Sequence, residues 1–421
     1  MMVLTPFITR AIEEGAFSGA SVVVGVGGQK IYEGSWGTTS FHSPAAPVTS
    51  RTLFDLASLT KPVATATLFM MLHETRQVAL EDPLPRFFPR TRIPSAKQAI
   101  TLETLLSHRS GLPAYRPYFQ SLARIPTRRR RETLLDWILA EPLQHQPGKA
   151  RLYSDLGYIL LGWILEEVSG TPLEHLFVEK IAGPLKSTLA FRPLAPRKIG
   201  PLPPEPPVPS IAATERCPWR GRILQGEVHD ENTHCLGGVA GHAGLFGTAD
   251  DVWRWLQALW LNARGDWAGA FSPPPMSGPA GPLKAENQWD ISAPPLSSHS
   301  RSPVKRTVPS DPVAAPQAAL RISAETVRFF WKRRLDPQGE PWSLGFDHPS
   351  GDTPSAGRYF PPDSVGHLGF TGTSFWLDPA TGTAIILLTN RVHPSRNDER
   401  IRTFRPLFHD QVMRALKGLN P

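Results

Sequence analysis

At 421 residues the chain is longer than one compact core usually needs, so two interlocked subdomains or one large domain with insertions are expected. Its 45 prolines, about twice the usual 5% usage, account for a hydrophobic share of only 40%, and its two cysteines stand outside any Cys-x-x-Cys pair, which excludes a disulfide framework and a thiolate zinc site. No apolar run approaches the roughly 18 residues of a membrane span, and the net charge of +8 has only one dense basic run, Arg128 to Arg131, which leads into Leu134, Leu135, Trp137 and Ile138 and reads as the solvated start of an amphipathic helix, not as a nucleic-acid surface.

Along the chain, Met1 to Gly19 carries Glu13 and Glu14 and no apolar h-region, so no signal peptide is read; the cytoplasm is the expected compartment, with the periplasm the alternative if the start site is misassigned, and two free thiols, Cys217 and Cys235, suit the former. Ser21 to Val26 and Lys30 to Glu33 are β-rich and separated by Gly27-Gly28, which predicts a hairpin. Leu156, Ile159, Leu160, Trp163 and Ile164 form one face of a helix that is apolar nearly all round, with Gly170 at the expected C-terminal cap. Thr248, with Asp251 three residues on, opens another helix carrying Val252, Trp255, Leu256, Leu259 and Trp260 at helical spacing. Trp342 to Phe346, Thr373 to Leu377 and Thr383 to Thr389 read as late strands, the last two joined by a turn at Asp378 to Gly382. Two stretches, 192–209 and 265–318, are Pro-rich and read as surface insertions.

The fold class expected is therefore α+β: an antiparallel sheet built from both chain termini and flanked by helices, with a mainly helical inserted portion. The sheet portion is assigned to 1–60 and 325–421 and the helical portion to 61–264.

Ser58 and Lys61 stand three apart at the start of a predicted helix, so they share a face and the lysine nitrogen reaches the hydroxyl. A serine is a poor nucleophile at neutral pH without an adjacent base, and a lysine supplies one if desolvation and neighbouring charge lower its pKa. Such a pair arises by chance about once in a chain of this composition. Ser302 and Lys305 are a second match, inside a Pro-rich stretch with no helix to align them.

Context separates the two matches. Phe54 to Lys61 is followed by Leu105-Leu106-Ser107-His108-Arg109-Ser110-Gly111-Leu112, by Tyr153-Ser154-Asp155 just before the buried helix, and by Gly366-His367-Leu368-Gly369 in a late strand. In these motifs and their order the chain, from about residue 15 to 415, resembles the superfamily of class C β-lactamases, DD-peptidases and serine esterases. The resemblance implies a transpeptidase-like fold with Ser58 as nucleophile, Lys61 and Tyr153 sharing its proton, and no metal or organic cofactor. It also implies that Asp155, His367, Gly369 and Phe370 line the substrate, the backbone N–H groups of Ser58 and Phe370 forming an oxyanion hole. His108 is implied to be a structural turn. Two positions depart from the pattern: Asp155 replaces an asparagine and cannot donate to a substrate carbonyl, and Leu368 replaces a hydroxyl residue that would donate to a substrate carboxylate.

These departures favour an esterase or D-amino-acid peptidase over an efficient β-lactamase, with a small ester, peptide or β-lactam as substrate; a non-catalytic ligand-binding or regulatory module of the same fold is the alternative. The absence of a Gly-x-Ser-x-Gly elbow argues against an α/β-hydrolase. His229, Asp230, His234, Cys235 and His242 invite a zinc reading, but they lack compact His-x-His or Glu-x-x-His spacing, and a Gly-rich loop beside the pocket is the preferred assignment. The oligomeric state is not legible.

Overall fold

The computed structural model describes residues 4–195, 210–265 and 320–418; Ser302, Lys305 and most of both Pro-rich stretches lie outside the described residues. In chain order the elements are α1 (Leu4–Glu13), β1 (Gly19–Val26), β2 (Gln29–Gly37), β3 (Phe54–Asp55), α2 (Thr67–Glu74), α3 (Leu102–Leu106), α4 (Phe119–Leu122), α5 (Thr127–Ala140), α6 (Asp155–Ser169) and α7 (Leu173–Phe177). There follow β4 (Ala190–Phe191), β5 (Arg216–Cys217), β6 (Arg222–Ile223), α8 (Glu231–Cys235), β7 (Leu245–Gly247), α9 (Ala249–Ala263), α10 (Ala324–Trp331), β8 (Arg334–Leu335), β9 (Pro341–Trp342), β10 (Val365–Leu368), β11 (Ser374–Asp378), β12 (Thr383–Thr389) and α11 (Ile401–Lys417).

The main sheet has the order β10-β11-β12-β1-β2 and every pair is antiparallel. It is thus closed by pairing the first strand of the chain with the last, Val22 opposite Leu387 and Val24 opposite Ile385. Val22, Val24, Ile385 and Leu387 pack with Leu4, Ile8, Phe404 and Phe408 of α1 and α11, while the intervening Val23, Ile386 and Leu388 join the larger core with α9 and α10. Both faces are covered, which is why these strands read as unbroken apolar runs.

Local sequence explains the sharpest element boundaries. Gly27 and Gly28 hold positive φ of 58° and 76°, as a two-residue hairpin of the primed type requires. Ser154 caps α6 by accepting from the Gly157 N–H, and Gly170 ends that helix at a left-handed φ of 66°. Thr248 and Asp251 form a reciprocal capping box on α9. The α9 tryptophans pack against the sheet: a Cβ on Gly25 would meet Trp253 at 2.1 Å, and one on Gly382 would meet Trp260 at 2.4 Å. The basic run begins α5, where Arg130 donates to the carbonyls of Ile125 and Cys235 and Arg131 pairs with Glu166.

Three features differ from the sequence expectation. Trp342 to Phe346 is not a strand of the sheet: only Pro341–Trp342 pairs, with Arg334–Leu335, and the chain then turns at Gly345, which holds a φ of 88° and where a Cβ would stand 2.4 Å from the Ala66 Cβ. The remaining sheet strand is β10. The strand expected at Thr373 begins at Ser374, because the Thr373 carbonyl accepts from Gly369 N–H in the β10–β11 turn. The terminal helices α1 and α11 are an addition to the elements read from sequence. Cys217 and Cys235 are both free and buried, and no helix among the described residues is long and apolar enough to cross a membrane.

Candidate active site

The nucleophile candidate sits on a sharply turned segment. β3 brings the chain to Asp55, whose buried carboxylate accepts from the backbone N–H groups of Ala57 and His229 at 2.8 and 2.7 Å. Ala57 holds a positive φ of 47°, rare for a residue with a Cβ, and Ser58 follows in a single 3-10 turn. Thr60 locks that turn by donating to the Ala57 carbonyl and accepting from Leu245 N–H. The expected helix at this point is a π-helical turn, Lys61–Ala66, that runs into α2.

Lys61 is fully buried, and its ammonium has three acceptors: Ser58 Oγ at 3.0 Å, Asp155 Oδ1 at 2.7 Å and the His242 carbonyl at 3.5 Å. Its Nζ also lies 4.6 Å from the centre of the Tyr153 ring. Burial acts to depress the lysine, but the Asp155 charge and Tyr153 outweigh it, and the pKa is pushed up to about 12. At neutral pH Lys61 is therefore an ammonium, which corrects the expectation of a lysine made basic by desolvation. Tyr153 is raised chiefly by burial and remains a phenol, although Lys61 and Ser58 both pull it down.

Asp155 is the first residue of α6, and its N–H donates to the Ala114 carbonyl at 2.9 Å. His108 positions this segment: its Nδ1 accepts from Ser154 N–H at 3.0 Å, and its ring stacks on Tyr153 with centroids 4.3 Å apart. Burial, then Arg151 and Lys61, hold its pKa well below the ordinary histidine value. An imidazole so occupied carries the Tyr153–Asp155 backbone and is not turned to the cleft.

The opposite wall is β10 and its turn. His367 is buried, its Nδ1–H donates to the Leu368 carbonyl at 2.8 Å, and burial lowers its pKa in spite of Asp347. The Nε2 of the neutral ring is consequently an acceptor, so the position resembling a basic residue offers a lone pair and not a charge. Gly369 is tightly enclosed: a Cβ there would stand 1.9 Å from Thr373 Oγ1 and 2.7 Å from the Leu56 carbonyl. Thr371 and Thr373 donate to the carbonyls of Asp55 and Leu56, which fastens the turn to the segment bearing Ser58. Phe370 is 49% exposed, with its ring stacked on His229 and the Arg391 guanidinium 4.3 Å above it.

Ser58, Tyr153, Asp155, His367, Gly369 and Phe370 together line one cleft of about 610 Å³, and Lys61 is buried behind Ser58 and Asp155, bonded to both. Sequence reasoning missed Tyr115, Asp347, Arg391, Arg396 and Arg405, which also line it. They come from loops and a helix end, where no periodicity marks a residue as facing a cavity.

The zinc reading is overturned by the pairing of its members. His229 bonds Glu215 at 3.1 Å, His242 bonds Asp230 at 3.0 Å and His234 faces Glu227 at 3.4 Å, while Cys235 lies 3.9 Å from the Phe119 carbonyl. Among the described residues, Glu215, Cys217 and Glu231 come within ligating distance of one another, but the Arg396 guanidinium bridges the two carboxylates and supplies their countercharge. Bonded in this way, Glu215 is held down at about 2.

A family model described as Beta-lactamase matches residues 4–408. The chain is 30% identical over 412 residues to an N-acetylmuramyl-L-alanine amidase of Bacillus subtilis (strain 168), covering 92% of this chain and 80% of that one. It is 28% identical over 415 residues to a putative D-alanyl-D-alanine carboxypeptidase of Escherichia coli O157:H7, covering 92% and 81%. Among solved structures, the octameric penicillin-binding protein homologue from Pyrococcus abyssi superposes with a TM-score of 0.64 at 19% identity, over 99% of this chain and 77% of that one.

Proposed function

We propose, proceeding from the fact that this chain belongs to the beta-lactamase family, that it cleaves an amide or ester of a small acyl compound by transferring the acyl group to Ser58. The observation that carries the reading is the buried Lys61 ammonium held between Ser58 Oγ and the Asp155 carboxylate, at 3.0 and 2.7 Å. Amides come first as substrates, because the two relatives above are named for amide cleavage and their names point to peptide and muramyl-peptide bonds.

The arrangement suits a balanced two-step reaction. Lys61 donates to Ser58 Oγ, so the serine's own proton is free to leave. When the oxygen attacks the carbonyl carbon, that proton passes to Lys61 as Lys61 hands one to Asp155; a C–O bond forms, and the charge that develops on the carbonyl oxygen meets the backbone N–H groups of Ser58 and Phe370. Collapse breaks the bond to the leaving group, which takes a proton from Lys61 directly or through Tyr153, and Asp155 returns its proton to Lys61, so that all three groups regain their starting states. Water then attacks the acyl-enzyme with the same proton traffic, releasing the acid and freeing Ser58. Asp155 in place of the amide thus gives the site a proton store, at the loss of a donor for a substrate carbonyl.

The test is intact-protein mass and turnover with a D-Ala-D-Ala peptide, a penicillin and a chromogenic short-chain ester, beside Ser58→Ala. A covalent adduct or turnover that disappears in Ser58→Ala is the expected result. Activity that persists in the mutant overturns the reading, and inertness toward all three returns the weight to a ligand-binding module.

A further inference from the structure

The backbone N–H groups of Ser58 and Phe370 come from opposite ends of the chain, and the segments that carry them are both tied to one residue, Asp55. On the Ser58 side, Asp55 Oδ1 accepts from Ala57 N–H at 2.8 Å, an Asx-turn that closes over Leu56 and fixes the peptide entering the left-handed Ala57. The peptide leaving Ala57 carries Ser58 N–H. On the Phe370 side, the Asp55 carbonyl accepts at 2.7 Å from the hydroxyl of Thr371, the residue after Phe370 and 316 positions away from Asp55. Asp55 Oδ2 reaches a third segment: it accepts from His229 N–H at 2.7 Å, and the His229 ring stacks on the Phe370 ring with centroids 5.6 Å apart.

The side chain at this junction is an unusual choice for a buried position. Asp55 is 2% exposed, its carboxylate takes two backbone N–H groups, and no lysine or arginine among the described residues pairs with it. Burial raises its pKa, and the two N–H groups act against that rise. A buried carboxylate without a cation is unfavourable by itself, so the two bonds it accepts have to offset its desolvation. An asparagine of the same shape would bring one acceptor and one NH2 to the same two N–H groups, and one of the two segments would then face a donor. The packing around the junction leaves no slack to absorb such a change: a Cβ on Gly369 would stand 2.7 Å from the Leu56 carbonyl, which also accepts from Thr373 Oγ1 at 3.1 Å.

We propose that Asp55 is a positioning residue for the oxyanion hole, its carboxylate and its carbonyl together setting the separation of the Ser58 and Phe370 N–H donors. Asp55 is not on the lining of the cleft, so it acts through these two groups and not on the substrate. A tetrahedral oxygen needs both donors at about 2.7–3.1 Å, a tolerance of a few tenths of an ångström. Loss of an anchor therefore weakens the hold on the tetrahedral species and leaves binding of the planar substrate largely as it was. This rests on the acyl-transfer reading above.

Phenylboronic acid reads the donor pair directly. Its boron accepts the Ser58 oxygen, the serine proton passes to the Lys61–Asp155 pair, and a boron hydroxyl takes the place of the carbonyl oxygen. In Asp55→Asn the boronate dissociation constant, measured by calorimetric titration, should rise about 10- to 100-fold with the binding stoichiometry unchanged. On whichever of the three substrates above the native protein turns over, kcat/KM should fall by a similar factor. Ser58→Ala and Ser58→Ala/Asp55→Asn should bind that substrate within about threefold of each other. A merely structural role would instead lower the stoichiometry, which counts active molecules, and leave the affinity of the remainder at its native value. If Asp55→Asn does not fold, Thr371→Val removes only the anchor beside Phe370 and should raise the boronate dissociation constant at least about threefold. Native boronate affinity in the variants, or substrate binding that weakens as much as boronate binding, overturns the positioning role. Native protein that binds phenylboronic acid no better than Ser58→Ala does would sink the acyl-transfer reading itself.

Discussion

At the scale of single residues, Asp155 decides what Lys61 is able to do. With the carboxylate 2.7 Å away the lysine is charged to about pH 12, so kcat/KM of the native protein should not climb across roughly pH 7 to 10 as it would for a free lysine base. Asp155→Asn removes the charge that raises Lys61 and leaves burial, which lowers it. The expected outcome is a loss of about 10- to 100-fold in kcat/KM at pH 7 that is recovered as pH rises and the lysine deprotonates. A pH–rate profile of the two proteins checks this, and a profile for Asp155→Asn parallel to the native one would dismiss the proton-store role. The Ser58–Lys61 spacing was legible because i and i+3 on any helical turn meet, whether the turn is α, 3-10 or π. The protonation state was not, because it is set by a residue 94 positions away whose arrival depends on α6 docking. The same holds for Arg405, a charge with no local sign that it would be buried.

At the scale of elements, boundaries with a chemical marker read correctly: Thr248 with Asp251, Gly170 and the Gly27-Gly28 pair are each fixed by chemistry within a few residues. Trp342 to Phe346 misled, because an apolar run resembles a buried strand until a contact with another segment, here Gly345 against Ala66, bends it. Glycines separate the two kinds of constraint. At Gly170 a Cβ has open space, and Gly170→Ala should cost only the left-handed backbone, about 1 kcal/mol. At Gly241 a Cβ would fall 2.2 Å from the Tyr158 carbonyl and 2.8 Å from Gly162 N, where a loop lies directly on α6. Gly241→Ala should therefore cost roughly 2–3 kcal/mol and also reduce activity, since the next residue's carbonyl accepts from Lys61. Denaturant midpoints for both variants give the comparison, and equal shifts would contradict the close packing.

At the scale of the molecule, acid should loosen the α11 side before the carboxylate pairs fail. His409 on α11 bonds the Ser355 carbonyl and His348 bonds the Ser364 carbonyl; burial depresses them to about 3 and about 4. In this range the unfolded chain binds more protons than the folded one, so their contribution is complete above about pH 6.5 and is lost as pH falls through 4 and 3, on the order of a few kcal/mol. Glu215, lowered to about 2, adds stability above pH 4.5 that is lost only on approach to pH 2. Unfolding free energy measured from pH 8 to 3 should begin to fall near pH 6, and His409→Gln should flatten that first decline. A curve level down to pH 4.5 would rule out the buried neutral imidazoles as its cause.

The pairing of β1 with β12 also sets a timetable. A ribosome adding 5–20 residues per second delivers the last strand roughly 20–70 s after the first, with about 350 residues made in between. Throughout that interval Val22, Val23 and Val24 have β2 on one edge but neither β12 on the other nor the α11 cover over one face. A chain that stops before β12 leaves one edge of β1 unpaired and the sheet incomplete.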